Sequence, residues 1–237
     1  MKVVVIGDIH GRDNWKAIIP KVDEYDKIVF VGDYTDSYEL PNPVILQNLQ
    51  EIIKFRREFP DKVVTLVGNH DIAYMWYGET LFLNNGFRPE AAHDLSTIFR
   101  AHHDIFDVAW QSGKTIITHA GITNGWMRYN AETIQHARER YKTETIADTF
   151  NMMLRNYTYN RCLHQLSGKR GGPYNYGGIT WADKQETEKD GLKGYIQVVG
   201  HTPVEDITTV KLEDYDFQIT YCDVLWKKTS FYEFIID

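Results

Sequence analysis

Residues 3–11 read Val3-Val4-Val5-Ile6-Gly7-Asp8-Ile9-His10-Gly11. Four consecutive β-branched residues fit a strand buried on both faces, as in a parallel sheet. The glycine-flanked Asp-x-His that follows fits a tight loop carrying two polar donors. The same pattern recurs four times. Ile28 to Val31 lead into Gly32-Asp33-Tyr34-Thr35-Asp36, and Val63 to Val67 into Gly68-Asn69-His70-Asp71. Ile116-Ile117 precede Thr118-His119-Ala120-Gly121, and Ile196 to Val199 precede Gly200-His201-Thr202-Pro203. Strands followed by polar tips place donors at a sheet's carboxyl edge, where loops from separate strands converge. Oxygen and imidazole donors gathered in that way describe a site for two divalent cations.

Working outward, residues 1–72 read as strand–helix–strand–helix–strand. Strand Lys2–Ile6 leads to a helix near Asn14–Val22, with Asp13 as its expected N-cap. Strand Lys27–Val31 leads through Pro41 and Pro43 to a helix from about Val44 to Glu58. There Ile45, Leu49, Ile52 and Ile53 repeat at helical spacing. Strand Lys62–Val67 delivers the third cluster, and two βα units of this kind build a parallel sheet with right-handed crossovers. Further on the pattern predicts a turn at Asn84-Asn85-Gly86, a helix over Pro89–Arg100, and strands at Phe106–Trp110 and Lys114–His119. A hairpin at Gln111-Ser112-Gly113 joins those strands. Asn130 to Leu166 is helical by composition, and Gly168 to Gly178 reads as an ordered glycine-rich loop. The tail reads as strands Ile196–Val199, Thr208–Leu212, Phe217–Tyr221 and Ser230–Ile235. The expected organisation is one domain, 1–237, with a helical cap subregion at about 130–178.

Size and composition fit that organisation. The chain has 237 residues, 43% hydrophobic and 25% charged, so it can bury one large α/β core. A formal charge of −7 argues against a non-specific grip on nucleic acid. No apolar run approaches the roughly 20 residues that cross a bilayer, and the opening strand leaves no room for a signal peptide. The two cysteines, Cys162 and Cys222, read as buried small apolar side chains rather than a disulfide framework. A cytoplasmic location is expected.

The ordered set Asp-x-His, Gly-Asp-x-x-Asp, Gly-Asn-His-Asp, His-Ala-Gly and Gly-His-Thr-Pro, spanning Asp8 to His201, resembles the calcineurin-like metallophosphoesterase superfamily. The nearest branch is that of the serine/threonine phosphatases and the symmetrical diadenosine tetraphosphatases. The run His119-Ala120-Gly121-Ile122-Thr123, with Trp126 three residues on, looks especially like the latter. The resemblance implies a four-layer α/β/β/α sandwich of two mixed sheets with flanking helices. It makes Asp8, His10 and Asp33 ligands of one metal, and Asp33, Asn69, His119 and His201 ligands of a second, bridged by Asp33. His70 becomes the general acid, oriented by Asp36. Two divalent transition-metal ions, manganese first and iron or zinc as alternatives, would hold a bridging hydroxide as the nucleophile.

Departures from the family pattern narrow the reading. Pro203 stands where many phosphodiesterases of the superfamily carry a second ligating histidine, which favours monoester or polyphosphate substrates. Ser37-Tyr38 replace the branch's Arg-Gly, so its phosphate-clamping arginine is missing. Val67 replaces a frequent arginine and Asp71 a usual glutamate. A charge-assisted contact to phosphate is worth roughly 1.5–3 kcal/mol, so another arginine is expected to substitute: Arg170 first, then Arg12 or Arg161. Asp71 fits equally a helix cap or a contact beside the site. The aromatics Tyr74, Trp76, Tyr77, Trp126, Tyr174, Tyr176 and Trp181 suit either core packing or stacking on a nucleobase. His93, His102, His103, His136 and His164 read as surface or structural groups. The expected function is a phosphomonoesterase acting on a small molecule, nucleotide or phosphoprotein, with no membrane partner. The alternatives are a dinucleoside polyphosphate hydrolase and, from another class, a non-catalytic scaffold.

Overall fold

Strand β1 (Lys2–Ile6) is buried from Val3 onward, as four β-branched residues in the middle of a sheet require. It opens a computed structural model that describes residues 1–78, 86–212 and 216–236. Two compact units emerge: Met1–Phe106 with Val224–Asp237, and Asp107–Asp223. Each carries a five-stranded sheet.

In the first unit β1, β2 (Lys27–Phe30) and β3 (Val63–Leu66) run parallel, with Val3 opposite Lys27 and Ile28 opposite Val63. Strand β4 (Phe106–Asp107) flanks β3. The last strand, β10 (Tyr232–Ile235), pairs antiparallel with β1, so the chain's tail completes the sheet that its head begins. Helix α1 (Asn42–Glu58) begins two residues before the expected Val44. Pro43 sits in its first turn, where a missing N–H leaves no intrahelical bond unmade. Its buried Ile45, Leu49, Ile52 and Phe55 form the apolar stripe, and Phe55 meets Trp15 and Phe30 at ring separations of 5.5 and 6.5 Å. Buried Asn48 accepts the Trp15 indole N–H at 2.9 Å and donates to the Arg12 carbonyl at 3.1 Å, leaving that core polar group satisfied.

Residues Asn14–Glu24 wind as 3₁₀ turns rather than the expected α-helix, and Asp13 makes no side-chain cap. Pro20 inside the segment lacks the N–H an α-helix needs and would clash with the carbonyl four residues back. Trp15 and Ile18, three apart, are the buried pair, which suits a three-residue turn. Asp13 instead lies 3.8 Å from the Lys16 ammonium. The segment expected as a helix over 89–100 is a 3₁₀ turn, Pro89–Ala91, running into α3 (Ala92–Ala101). Asn84 and Asn85 of the expected turn fall outside the described residues.

The single strand expected at Phe106–Trp110 is two strands, β4 and β5 (Ala109–Ser112), which belong to different sheets. The Val108 and Ala109 N–H groups donate to the Asn151 side-chain carbonyl at 2.9 and 3.1 Å, which anchors the start of β5. The second unit's sheet runs β5, β6 (Thr115–Thr118), β7 (Ile196–Val199), β9 (Phe217–Tyr221), β8 (Thr208–Leu212). β6, β7 and β9 are mutually parallel, while β5 and β8 pair antiparallel at the two edges, so this sheet is mixed. Helices α4 (Asn124–Tyr129), α5 (Ala131–Tyr141), α6 (Ile146–Leu154) and α7 (Tyr157–Leu163) fill most of the stretch expected to be helical. Thr123, Thr145 and Asn156 cap α4, α6 and α7 through their side-chain oxygens. Helix α8 (Lys184–Asp190) is capped by Asp183. Both cysteines are buried, and burial pushes the Cys162 thiol up to about 12, so it stays protonated.

The tips of β2 and β3 approach backbone to backbone. Gly32 has φ of +110°, and a Cβ there would collide with the Gly68 backbone nitrogen. Gly32→Ala is therefore expected to cost about 3 kcal/mol, read as a fall in the urea midpoint without a change in slope. A midpoint within about 0.5 kcal/mol of the parent would refute this account of the contact.

Candidate metal centre

Three strand tips converge in the first unit. The His10 N–H donates to the Asp33 carbonyl at 2.6 Å and the Gly11 N–H to the Tyr34 carbonyl at 3.1 Å, joining the first tip to the second. The His70 N–H donates to Asp33 Oδ1 at 2.9 Å, joining the second to the third. The tips turn sharply: His10, Asp33 and Asp36 all take left-handed backbone angles, with φ of 44°, 51° and 55°. Such angles cost non-glycine residues energy and concentrate at working sites, because the turn aims the side chain.

Asp8, Asp33 and Asn69 are buried, and His10 and His70 half-buried. Ligand atoms of His10, Asp33 and His70 lie within 4.8 Å of one another. The Nδ1 of His10 sits 3.0 Å from the Thr35 carbonyl and 3.1 Å from that of Asp36. Both partners only accept, so Nδ1 carries a proton, while Nε2 lies 3.7 Å from Asp33 Oδ2. The buried Asp33 carboxylate beside an imidazole that two carbonyls hold from behind is a donor set that fits a divalent transition metal.

His70 lies on α2 (Asn69–Met75), and its Nδ1 is 2.7 Å from Asp36 Oδ2. The other Asp36 oxygen accepts the Tyr74 phenol O–H, a partner that composition does not reveal. Tyr74 lies four residues after His70, one turn along the same helix, and that spacing was the available signal. Burial lowers the His70 pKa, but the charge of Asp33, the hydrogen bond and charge of Asp36, and the charge of Asp71 outweigh it. The imidazole is held at about 9.

Asp71 resolves its two readings. It occupies the third position of α2 rather than its N-cap. One carboxylate oxygen accepts the Gly68 N–H at 2.9 Å, and the other accepts the Tyr34 N–H, the Thr35 N–H and the Thr35 hydroxyl at 2.9–3.2 Å.

In the second unit the His119 Nε2 and His201 Nδ1 lie 3.1 Å apart, with His201 also in the left-handed region at φ 63°. Two nitrogens about 3 Å apart suit a shared ion at bond lengths of about 2 Å. Buried Gln197 accepts the Ile122 N–H at 2.8 Å and donates to the Ile122 carbonyl at 3.0 Å, pinning the loop that carries His119. A glutamine inside the apolar run 196–199 was the visible clue to that role. The Trp181 ring meets the His201 ring edge-on at 5.7 Å.

Arg170 extends to the hydroxyl of Thr202, the neighbour of His201, at 2.8 Å, and its Nε forms an ion pair with Asp183 at 2.8 Å without hydrogen-bond alignment. Gly172 permits a close approach to Leu166 of its own loop, while Gly168 and Gly171 face open space. Arg12 faces Glu39 at 3.8 Å and lines a cleft of about 330 Å³ with Gly11, Lys16 and Asn48. Arg161 is exposed on α7. Tyr74 and Trp126 are fully buried and cannot stack on a nucleobase. The Trp126 indole donates to the Cys162 carbonyl at 3.1 Å, a core role.

A family model described as calcineurin-like phosphoesterase matches residues 1–226. A solved protein serine/threonine phosphatase from Saccharomyces cerevisiae, with similarity to human phosphatase PP5, shares the fold at a TM-score of 0.50. It is 12% identical, over 93% of this chain and 67% of its own. A metallophosphoesterase from Sphaerobacter thermophilus is 15% identical over 93% of this chain and 75% of its own, at a TM-score of 0.40. No curated protein sequence matches the chain. The chain belongs to the calcineurin-like phosphoesterase family. It is accordingly a metal-dependent hydrolase of phosphoric esters, with the α/β fold of two mixed sheets and flanking helices.

In the metal-free protein the His70 imidazole should remain protonated until about pH 9, well above the ordinary 6.5. With the folded value raised, the stabilisation is full below pH 6.5 and fades as pH climbs through 9. Asp36→Asn removes two of the raising influences, so the midpoint read by imidazole NMR should fall. An unchanged midpoint would contradict the pairing.

Proposed function

We propose that the protein is a phosphomonoesterase whose two divalent cations are held by Asp8, His10 and Asp33 on one side and by Asp33, Asn69, His119 and His201 on the other. The reading rests on the family's ligand order, and the carrying observation is the Asp36–His70 pair at 2.7 Å beside the His10 and Asp33 donors. Bound cations, manganese first with iron or zinc as alternatives, supply an activated water and charge to stabilise the phosphoryl oxygens.

The chain's own residues do the rest. His70 Nδ1 is engaged by Asp36, so Nε2 is the nitrogen that protonates the leaving oxygen. As water attacks phosphorus, the bond to that oxygen breaks, its electron pair stays on oxygen, and the His70 proton neutralises it. Asp36 holds the ring in place throughout. Arg170, aimed by Asp183 beside Thr202, takes the place of the arginine lost at Ser37 and neutralises phosphoryl charge. Pro203 withholds a ligand and favours monoesters. Trp126, the residue most suggestive of dinucleotide recognition, serves the core instead. The substrate is a phosphorylated small molecule, nucleotide or phosphoprotein, and no described helix is long and apolar enough to cross a membrane. Two buried free cysteines accord with a reducing, cytoplasmic setting.

The decisive comparison is activity on p-nitrophenyl phosphate, its bis ester and diadenosine tetraphosphate. The monoester should be hydrolysed fastest. Preference for either of the others would displace the reading. His70→Asn should lower kcat by about 10²–10⁴-fold on alkyl phosphates, less on p-nitrophenyl phosphate, with metal content retained. Equal loss on both would deny His70 the acid's role.

Arg170→Ala should reduce kcat/KM by about 10–150-fold, and lysine should restore only part of it. Unchanged kcat/KM would transfer the clamp to Arg12 or Arg161.

A further inference from the structure

The geometry points to Tyr74 as a positioning residue of the hydrolytic reaction: its phenol O–H holds the Asp36 carboxylate that orients His70. This rests on the proposed acid role of His70.

A carboxylate that steers an imidazole must itself be fixed, and Asp36 has two oxygens to fix. One faces His70 Nδ1 at 2.7 Å, and the other accepts the Tyr74 O–H. The backbone of Asp36 lies in the left-handed region, midway along the loop between β2 and α1, so side-chain contacts must set its rotamer. Tyr74 is rigid by contrast. It lies on the same short helix as His70, four residues on, so phenol and imidazole share one face. Its ring stacks on Phe87 at 4.9 Å and 17°, and its oxygen accepts the Arg88 N–H at 2.9 Å. With that acceptor position filled, the phenol proton is directed to Asp36.

Burial and the charge of Asp36 both raise the phenol's pKa, so it remains a donor across the working range. A hydrogen bond from a neutral donor also draws charge from the carboxylate. The arrangement is a relay of fixed groups, Arg88 N–H to Tyr74 to Asp36 to His70, in which only His70 gives up a proton.

Tyr74→Phe keeps the ring and its stacking and deletes the donor. On an alkyl phosphate, whose leaving group needs protonation, kcat should fall about tenfold; on p-nitrophenyl phosphate the fall should stay under about threefold. KM and bound metal should not change. In an Asp36→Asn background the same change should cost little, because the two groups act as a unit. Equal losses on both substrates, or full additivity with Asp36→Asn, would overturn the proposal. Should Tyr74→Phe fail to fold, Phe87→Leu loosens the phenol without removing it. It should then reproduce part of the leaving-group-dependent loss, and a loss independent of leaving group would equally overturn the role. His70→Asn run alongside separates the two readings. If its own loss ignores the leaving group, the acid assignment falls; if only the Tyr74 and Phe87 variants ignore it, Tyr74 alone is misassigned.

Discussion

The donor cluster of the first unit depends on one buried carboxylate. Asp71 accepts hydrogen bonds from the Gly68 N–H, the Tyr34 N–H, the Thr35 N–H and the Thr35 hydroxyl. A charge with no exposure to water is tolerable only when its lone pairs are filled, and these donors fill them. In doing so they tie the loop after β2 to the first turn of α2. The Thr35 carbonyl is thereby placed to fix His10, and Asp36 to meet His70. The aspartate that departs from the family's usual glutamate is thus a structural keystone in this chain rather than a ligand.

Around that anchor, sheet and loops divide the work. The parallel strands, buried on both faces, give a rigid base whose carboxyl ends lie side by side. The loops absorb the strain: His10, Asp33, Asp36 and His201 all sit in left-handed backbone angles. Gly32 and Gly68 take the closest backbone approach between tips, where no Cβ could fit. Strained non-glycine residues at the tips and glycines just before them form one device. The glycines let the first unit's tips crowd together, and the left-handed turns set the direction of the donor each tip carries. In the second unit Gln197 and the Asp183 cap play the corresponding supporting part for His119 and Arg170.

Strands β1, β2, β3 and β7 were legible because β-branched runs leading to a glycine have few other uses. Helix α1 was legible from its stripe of Ile45, Leu49, Ile52 and Ile53. The failures have local causes. Pro20 turned an expected α-helix into 3₁₀ turns. The Phe106–Trp110 run conceals a change of sheet at Val108, and nothing in five residues says which partner each will find. Ser230–Ile235 read as one more strand of the tail, yet β10 pairs with β1, a contact between residues more than 220 positions apart. Pairing partners are chosen by the whole chain, so local pattern cannot name them.

Sequence alone determined the family, the ordered polar tips and the residue types able to bind metal and donate a proton. These are properties of side-chain chemistry and of periodicity, which are written position by position. Tertiary structure decided what each polar group touches. It made Tyr74 a partner of Asp36 instead of a stacking surface, Asp71 a clasp between loops, Trp126 a core residue, and Arg170 the arginine beside the His201 loop. Those assignments depend on directions and on distances of about 3 Å between residues far apart in the chain. A hydrogen bond is lost within an ångström of displacement, and only the folded backbone sets position that finely.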